Sequence, residues 1–417
     1  MTLQDCKHTK GACYFAYLAS SSVFSLPPLL FATFRQMYGI SYTLLGTLVL
    51  INFFTQLGVD LIFSFFSKHS NLHATIRLMP LLTALGLCVY ALIPLLLPQY
   101  AYIGLVSGTV IFSIAAGLDE VLMSPTVAAL PSDTPEKDMS TLHSLYGYGF
   151  VGVVVVSTLF LQFVGNQYWM YLTFFWAVLP IIASVMLTRS KLPDLQMDQS
   201  KNTTSRSRHR TKGLLLCMIC IFFGSCTENT MANWISAYAE NALIMPKVWG
   251  DLLGMSLFAT FLALTRTFYA KYGKNIFKVL VLGMLGSIAC YIITAFSTNA
   301  GLSLVACVAV GVCASMLWPG TLILMEERIP SVGVAAYALM AAGGDFGASF
   351  APQALGAVVD KVAETPWAAE LGNRFSLDAE QVGFKAGMLL AAIFPILGML
   401  VLLAMKKHFK KAPVANP

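Results

Sequence analysis

Gly117-Leu-Asp-Glu-Val-Leu-Met-Ser-Pro125 in the first half of the chain is answered by Gly311-Val-Cys-Ala-Ser-Met-Leu-Trp-Pro319 in the second. Each stretch lies in a long apolar run and sets a glycine eight residues before a proline (125−117, 319−311). A further glycine, Gly149 or Gly343, follows in the next apolar run. All three pairs share one offset (311−117, 319−125 and 343−149). The halves therefore read as two copies of one unit, and the next question is what the unit is.

Working outward, twelve apolar runs emerge: 11–34, 42–66, 78–97, 101–130, 139–164 and 168–187, then 213–238, 248–269, 276–296, 301–325, 332–359 and 382–405. A helix needs about 20 residues to cross a ~30 Å hydrocarbon layer, and each run supplies them. With 57% hydrophobic and 11% charged residues in 417, and a mean hydropathy of +0.72, the chain has too little polar surface for a soluble protein. The expected fold is an all-α membrane protein with twelve transmembrane helices in two six-helix bundles. The bundles are expected at 1–188 and 213–417, joined by a basic linker at 189–212. No cleavage site follows the first run, which is expected to stay.

Basic residues orient the chain. With the amino terminus inside, 21 of the 26 Lys and Arg, all but Arg35, Lys247, Lys361, Arg374 and Lys385, fall on the cytoplasmic side. Both termini are therefore expected in the cytoplasm. The pI of 8.8 then reflects topology, and no nucleic-acid partner is expected.

Several motifs carry no chemistry in this setting. Gly147-x-Gly149-x-x-Gly152 matches a dinucleotide fingerprint, but it sits inside an apolar helix and reads as close helix packing. Cys217-x-x-Cys220 lies within the seventh run, and His69 and His73 lack a nearby carboxylate or thiolate. No metal site and no cofactor are expected. The sequon Asn202-Thr-Thr204 falls in the linker, on the side away from glycosylation. No nucleophile, base and orienting group occur together, so the chain does not read as an enzyme.

Ionisable side chains inside a membrane cost about 2.5–3.5 kcal/mol on insertion scales, so each invites a functional reading. Proton coupling is assigned to Glu120, His143, Glu228 and Asp345. Asp119 and Glu120 are neighbours roughly 100° apart on a helix, so one faces a cavity while the other turns to a neighbouring helix. Thr134-Pro135 reads as a helix start that brings His143 to the depth of Glu120. Asn52, Gln56 and Asp60 form a polar stripe at helical spacing, which either lines a water-filled cavity or bonds a partner helix; Asn52 and Gln56 are read as cavity-lining, solute-binding residues and Asp60 as a gate contact, together with Asp119 and Arg266. Asn229, Asn233 and Trp234 of the seventh run, with Tyr146 of the fifth, are the expected solute-binding residues: amides and flat rings suit a polyhydroxylated solute.

The twelve runs, the repeat and the linker resemble the major facilitator superfamily over essentially the whole chain. Gly117-Leu-Asp-Glu120-Val-Leu-Met-Ser124-Pro125 and His143-Ser-Leu-Tyr146-Gly-Tyr-Gly149 resemble the fucose-proton symporter family, with Glu120 at its proton-linked glutamate and His143 where it has a glutamine. The chain departs from that family in lacking a carboxylate in its first run and in having Ser124 before the proline. The pattern also looks like uncharacterised transporters of gut Gram-positive bacteria. The resemblance implies a secondary transporter of the bacterial cell (inner) membrane, monomeric, with a small solute and protons as partners. Three readings stay open: proton-coupled import of a sugar-like solute, antiport of an organic compound, and a receptor on the same fold.

Overall fold

In an apolar layer each backbone N–H and C=O must be paired within the chain, and a helix does this locally. The computed structural model describes residues 3–66, 71–133, 135–193, 208–329 and 334–410, and among them there is no strand. The first half holds α1 (Leu3–Leu29), α2 (Phe31–Tyr38), α3 (Tyr42–Phe66), α4 (Leu72–Leu96), α5 (Ala101–Ala128), α6 (Pro135–Val164) and α7 (Trp169–Thr188). The second holds α8 (Arg208–Ala237), α9 (Lys247–Trp249), α10 (Leu257–Tyr272), α11 (Ile276–Phe296), α12 (Ala300–Ala314), α13 (Leu317–Arg328), α14 (Val334–Ala363), α15 (Pro366–Phe375) and α16 (Ala379–Lys410).

Among the described residues, ten passages are long and apolar enough to span a membrane, and an eleventh is the pair α1–α2, bent by 48°. The bend follows Pro27 and Pro28, which have no N–H to continue the helical ladder. The first apolar run is thus a broken span, not one straight helix. The remaining long helix, α14, has 30 residues and is rich in alanine and glycine. Exposed side chains on the spans include Ile62, Phe163, Leu282 and Leu400, a surface suited to lipid and not to water. His69, Thr134 and the sequon at 202–204 lie outside the described residues.

The chain packs as two compact units, Met1–Met197 with Lys247–Leu252, and Asp198–Pro246 with Leu253–Pro417. In the first, α1 lies against α6 and α7, α4 against α5 and α7, and α3 against α5. In the second, α8 lies against α14 and α16, α11 against α12 and α16, and α10 against α12. Each pairing in one unit has its counterpart in the other.

The repeated glycines are the contact points of these crossings. A methyl on Gly149 of α6 would stand 2.5 Å from Ser21 Oγ of α1, and one on Gly343 of α14 would stand 2.7 Å from the Met218 side chain of α8. Gly117 meets Val59 of α3 in the same way, and Gly311 meets the Phe258 carbonyl of α10. One difference separates the copies. α5 continues through Pro125, whereas the second copy breaks between α12 and α13, just before Pro319.

Gly311→Ala forces a methyl to within 2.5 Å of a backbone oxygen and should destabilise the protein by about 1–3 kcal/mol through overpacking. Gly152, where an added Cβ meets nothing within 4 Å, should accept alanine without loss. Thermal melting of both variants in detergent checks this; equal melting points would contradict the packing role of Gly311.

Candidate functional site

In the first unit, α5 carries two adjacent carboxylates with different surroundings. Asp119 is buried at 7% exposure, and its Oδ2 lies 2.7 Å from Ser20 Oγ of α1. Ser20 has one hydroxyl proton and also lies 3.0 Å from the Tyr17 carbonyl. Both contacts are hydrogen bonds at once only when Asp119 brings a proton of its own. Beside the pair is a cavity with room for about one water, roughly 10 Å³, also lined by Thr83.

Glu120 is exposed. Its charge acts on Tyr17 of α1 and on Asp60 of α3. Tyr17 meets Tyr146 of α6 edge-on at 6.1 Å, and Tyr146 meets Phe24 at 5.6 Å. The first unit therefore gathers Glu120, Asp60, Tyr17 and Tyr146 from four helices, and Asp60 is a neighbour of Glu120. His143 lies on α6, but its side chain is outside the described residues.

Sequence reading missed Tyr17 and Ser20. They share one face of the first span with Ser21 and Phe24, at helical spacing, where only a carboxylate was sought. Asn52 and Gln56 need a correction. They are 7% and 2% exposed, Gln56 Nε2 donates to Asn52 Oδ1 at 2.9 Å, and Ser113 Oγ donates to the same oxygen at 2.7 Å. They join α3 to α5 and do not line a cavity, because a buried amide is stable only when bonded.

The second unit holds its carboxylate differently. Arg266 Nη2 of α10 donates to both oxygens of Glu228 of α8, at 2.9 and 3.0 Å. Arg266 Nε donates to the Ser315 carbonyl at 2.8 Å. That carbonyl is available because the residue four positions on is Pro319, which has no N–H. Arg266 and Glu228, expected in separate roles, are thus one ion pair. Asp345 of α14 is buried at 5% exposure, and Gly344 beside it leaves room for the ring of Trp318.

On α8, Asn229 Nδ2 donates back to Ser225 at 3.1 Å and Asn233 Nδ2 to the Asn229 carbonyl at 2.8 Å. Trp234 is corrected outright. It is fully buried, its Nε1 donates to the Pro352 carbonyl at 2.9 Å, and its ring meets Phe384 edge-on at 6.2 Å. It packs α8 against α14 and α16 and offers no surface to a solute.

Two charged contacts lie near helix ends. Lys10 pairs with Asp138, which also accepts from Ser132; these bonds hold the Asp138 carboxyl below its usual range, Lys10 most strongly. Within the first unit, Lys247 Nζ donates to the Leu29 carbonyl at 2.6 Å and pairs with Asp251 at 3.3 Å. Asp251, fully buried, accepts from Thr158 at 3.2 Å. Sequence reading gave Asp251 no role, since it sits at the edge of an apolar run.

A family model described as Major Facilitator Superfamily matches residues 12–352, and the chain belongs to that superfamily. It is a multi-pass membrane transporter and not an enzyme. Among solved structures, an inward-facing, unoccupied bacterial homologue of the human lysosomal transporter Spinster is 11% identical with a TM-score of 0.76, covering 99% of each chain. A D-xylose-proton symporter is 14% identical with a TM-score of 0.72, covering 93% of this chain and 96% of its own. The E. coli fucose:proton symporter is 14% identical with a TM-score of 0.56, covering 93% and 98%. At these identities the likeness is one of fold. A search of curated protein sequences finds no match.

Trp234→Ala should destabilise the protein by about 3–5 kcal/mol, as expected for a buried indole. Asn229→Ala should change stability by no more than about 0.5 kcal/mol. Melting of the purified variants decides; a Trp234→Ala protein as stable as the parent would return this ring to the candidate solute contacts.

Proposed function

We propose that the protein imports a small polar, sugar-like solute together with protons, by alternating access, as a monomer in the bacterial cell membrane with both termini in the cytoplasm. The observation that carries this reading is the exposure of Glu120, a carboxylate on a membrane-spanning helix with the Asp60 carboxyl as its neighbour. Charged groups in spans line water-filled cavities and mark ion pathways, and a carboxylate reached by water takes up and releases protons. Two carboxylates acting on each other in an apolar layer repel, and one proton removes the repulsion. Tyr17 and Tyr146 supply hydroxyls and ring faces beside them, which suits a solute with both hydroxyls and an apolar face. His143, on α6, is the proposed exchange partner for the Glu120 proton. The sugar-like solute class is supported by the fold shared with sugar-proton symporters.

Glu120→Gln keeps the size and most hydrogen bonds of the side chain but fixes it neutral, like the protonated acid. In proteoliposomes, counterflow of labelled for unlabelled solute should survive, and accumulation driven by an inward proton gradient should disappear. Accumulation at the parental level would remove Glu120 from coupling and leave Glu228 and Asp345 as the candidates. His143→Gln should be milder and mainly move the pH dependence of uptake.

A further inference from the structure

The Glu228–Arg266 pair is built asymmetrically, and the asymmetry points to a ligand. A guanidinium carries five N–H donors. Nε is held by Ser315 O and Nη2 by Glu228, while Nη1 donates to no atom among the described residues. The Arg266 side chain is 40% exposed and that of Glu228 17%, so the pair is open on the cationic side. We propose that this open edge of Arg266 binds a carboxylate of the solute, with Glu228 as the counter-ion that gives way when the solute arrives. The proposal rests on the proton-coupled reading and narrows its substrate class to a polar monocarboxylic acid.

Charge balance selects that class. Arg266 and ionised Glu228 are together neutral. A second carboxylate on the same guanidinium leaves a net negative charge, which a poorly solvated site resists. A proton taken from water by Glu228 restores neutrality: Glu228 becomes an acid, and its hold on Nη2 weakens to a neutral hydrogen bond. The solute carboxylate then meets donors on Nη1 and Nη2 in the planar arrangement that guanidinium offers. On release of the solute, Glu228 returns its proton to water and recloses on Arg266. A dianion would leave one charge uncompensated, and an uncharged sugar has nothing with which to displace Glu228.

The guanidinium is anchored through Nε, which donates to the Ser315 carbonyl that Pro319, having no N–H, leaves open. Other titratable groups on the elements around α8 include Cys307 and Cys313 on α12, Glu326 and Glu327 on α13, Asp345 and Asp360 on α14 and Lys385 on α16, with Tyr291 on α11 and Tyr269 and Lys271 on α10 itself. Arg266 is the charged group that acts on Glu228. Tyr291 donates its hydroxyl to the Thr227 carbonyl at 2.7 Å, which fixes α8 next to Glu228.

The test is equilibrium binding to the purified full-length protein, by calorimetry. Acetate, L-lactate, D-gluconate and D-glucuronate are the probes, with D-glucose as the uncharged control, at about pH 6 and about pH 8, where these acids stay ionised. At least one acid should bind the parent, more tightly at the lower pH, by up to about tenfold per pH unit for one linked proton. Glu228→Gln should bind that acid equally at both pH values. Arg266→Gln should lose it. The double variant Glu228→Gln/Arg266→Gln, which keeps the site neutral, should melt like the parent and still bind no acid. Absence of acid binding by the parent, or parental affinity in either variant lacking Arg266, overturns the proposal. Accumulation in vesicles reads the transport proposal separately, so failure of one is distinguishable from failure of the other.

Discussion

Proline in a membrane helix removes a backbone donor where no water stands in for it, and the second unit is organised around one such loss. Pro319 cannot reach back to Ser315, the helix breaks there into α12 and α13, and the stranded carbonyl is taken by Arg266. A cation fixed by that carbonyl requires an anion beside it in an apolar layer, and Glu228 supplies it at 2.9 Å. Helix break, arginine and glutamate therefore meet at one carbonyl, that of Ser315.

The equivalent proline of the first unit has a different outcome. α5 runs on through Pro125, and Glu120, five residues earlier in the chain, faces another carboxylate, Asp60, where Glu228 faces a cation. The two copies share helix order, crossings and contact glycines, yet they hold charge in opposite ways. An unbalanced carboxylate exchanges protons with water readily. A balanced one releases its partner only when something else supplies the charge.

The twelve runs and the repeat were legible because lipid allows one main solution, long apolar helices, and because close crossings demand glycine at fixed places: Gly117, Gly149, Gly311 and Gly343 are contact points in both copies. The bend after Pro28 was not foreseen, since the apolar run passes through it unbroken. Among candidate residues, the different surroundings of Asp119 and Glu120 followed from helical geometry alone. Asn52, Gln56 and Trp234 did not, because type and spacing cannot tell a polar group that lines a cavity from one bonded to the next helix. Ser113 and Pro352, which satisfy them, lie far off in sequence. The Arg266–Glu228 pair was hidden for the same reason, its partners being 38 residues apart.

On the proposed function, solute and protons move together in one direction. It is tested most directly by recording external pH in a lightly buffered, de-energised suspension of vesicles containing the protein as a transported solute is added. The outside medium should turn alkaline as protons enter with the solute, and should not with Glu120→Gln protein. Solute entry without proton movement, or acidification on its addition, would contradict it.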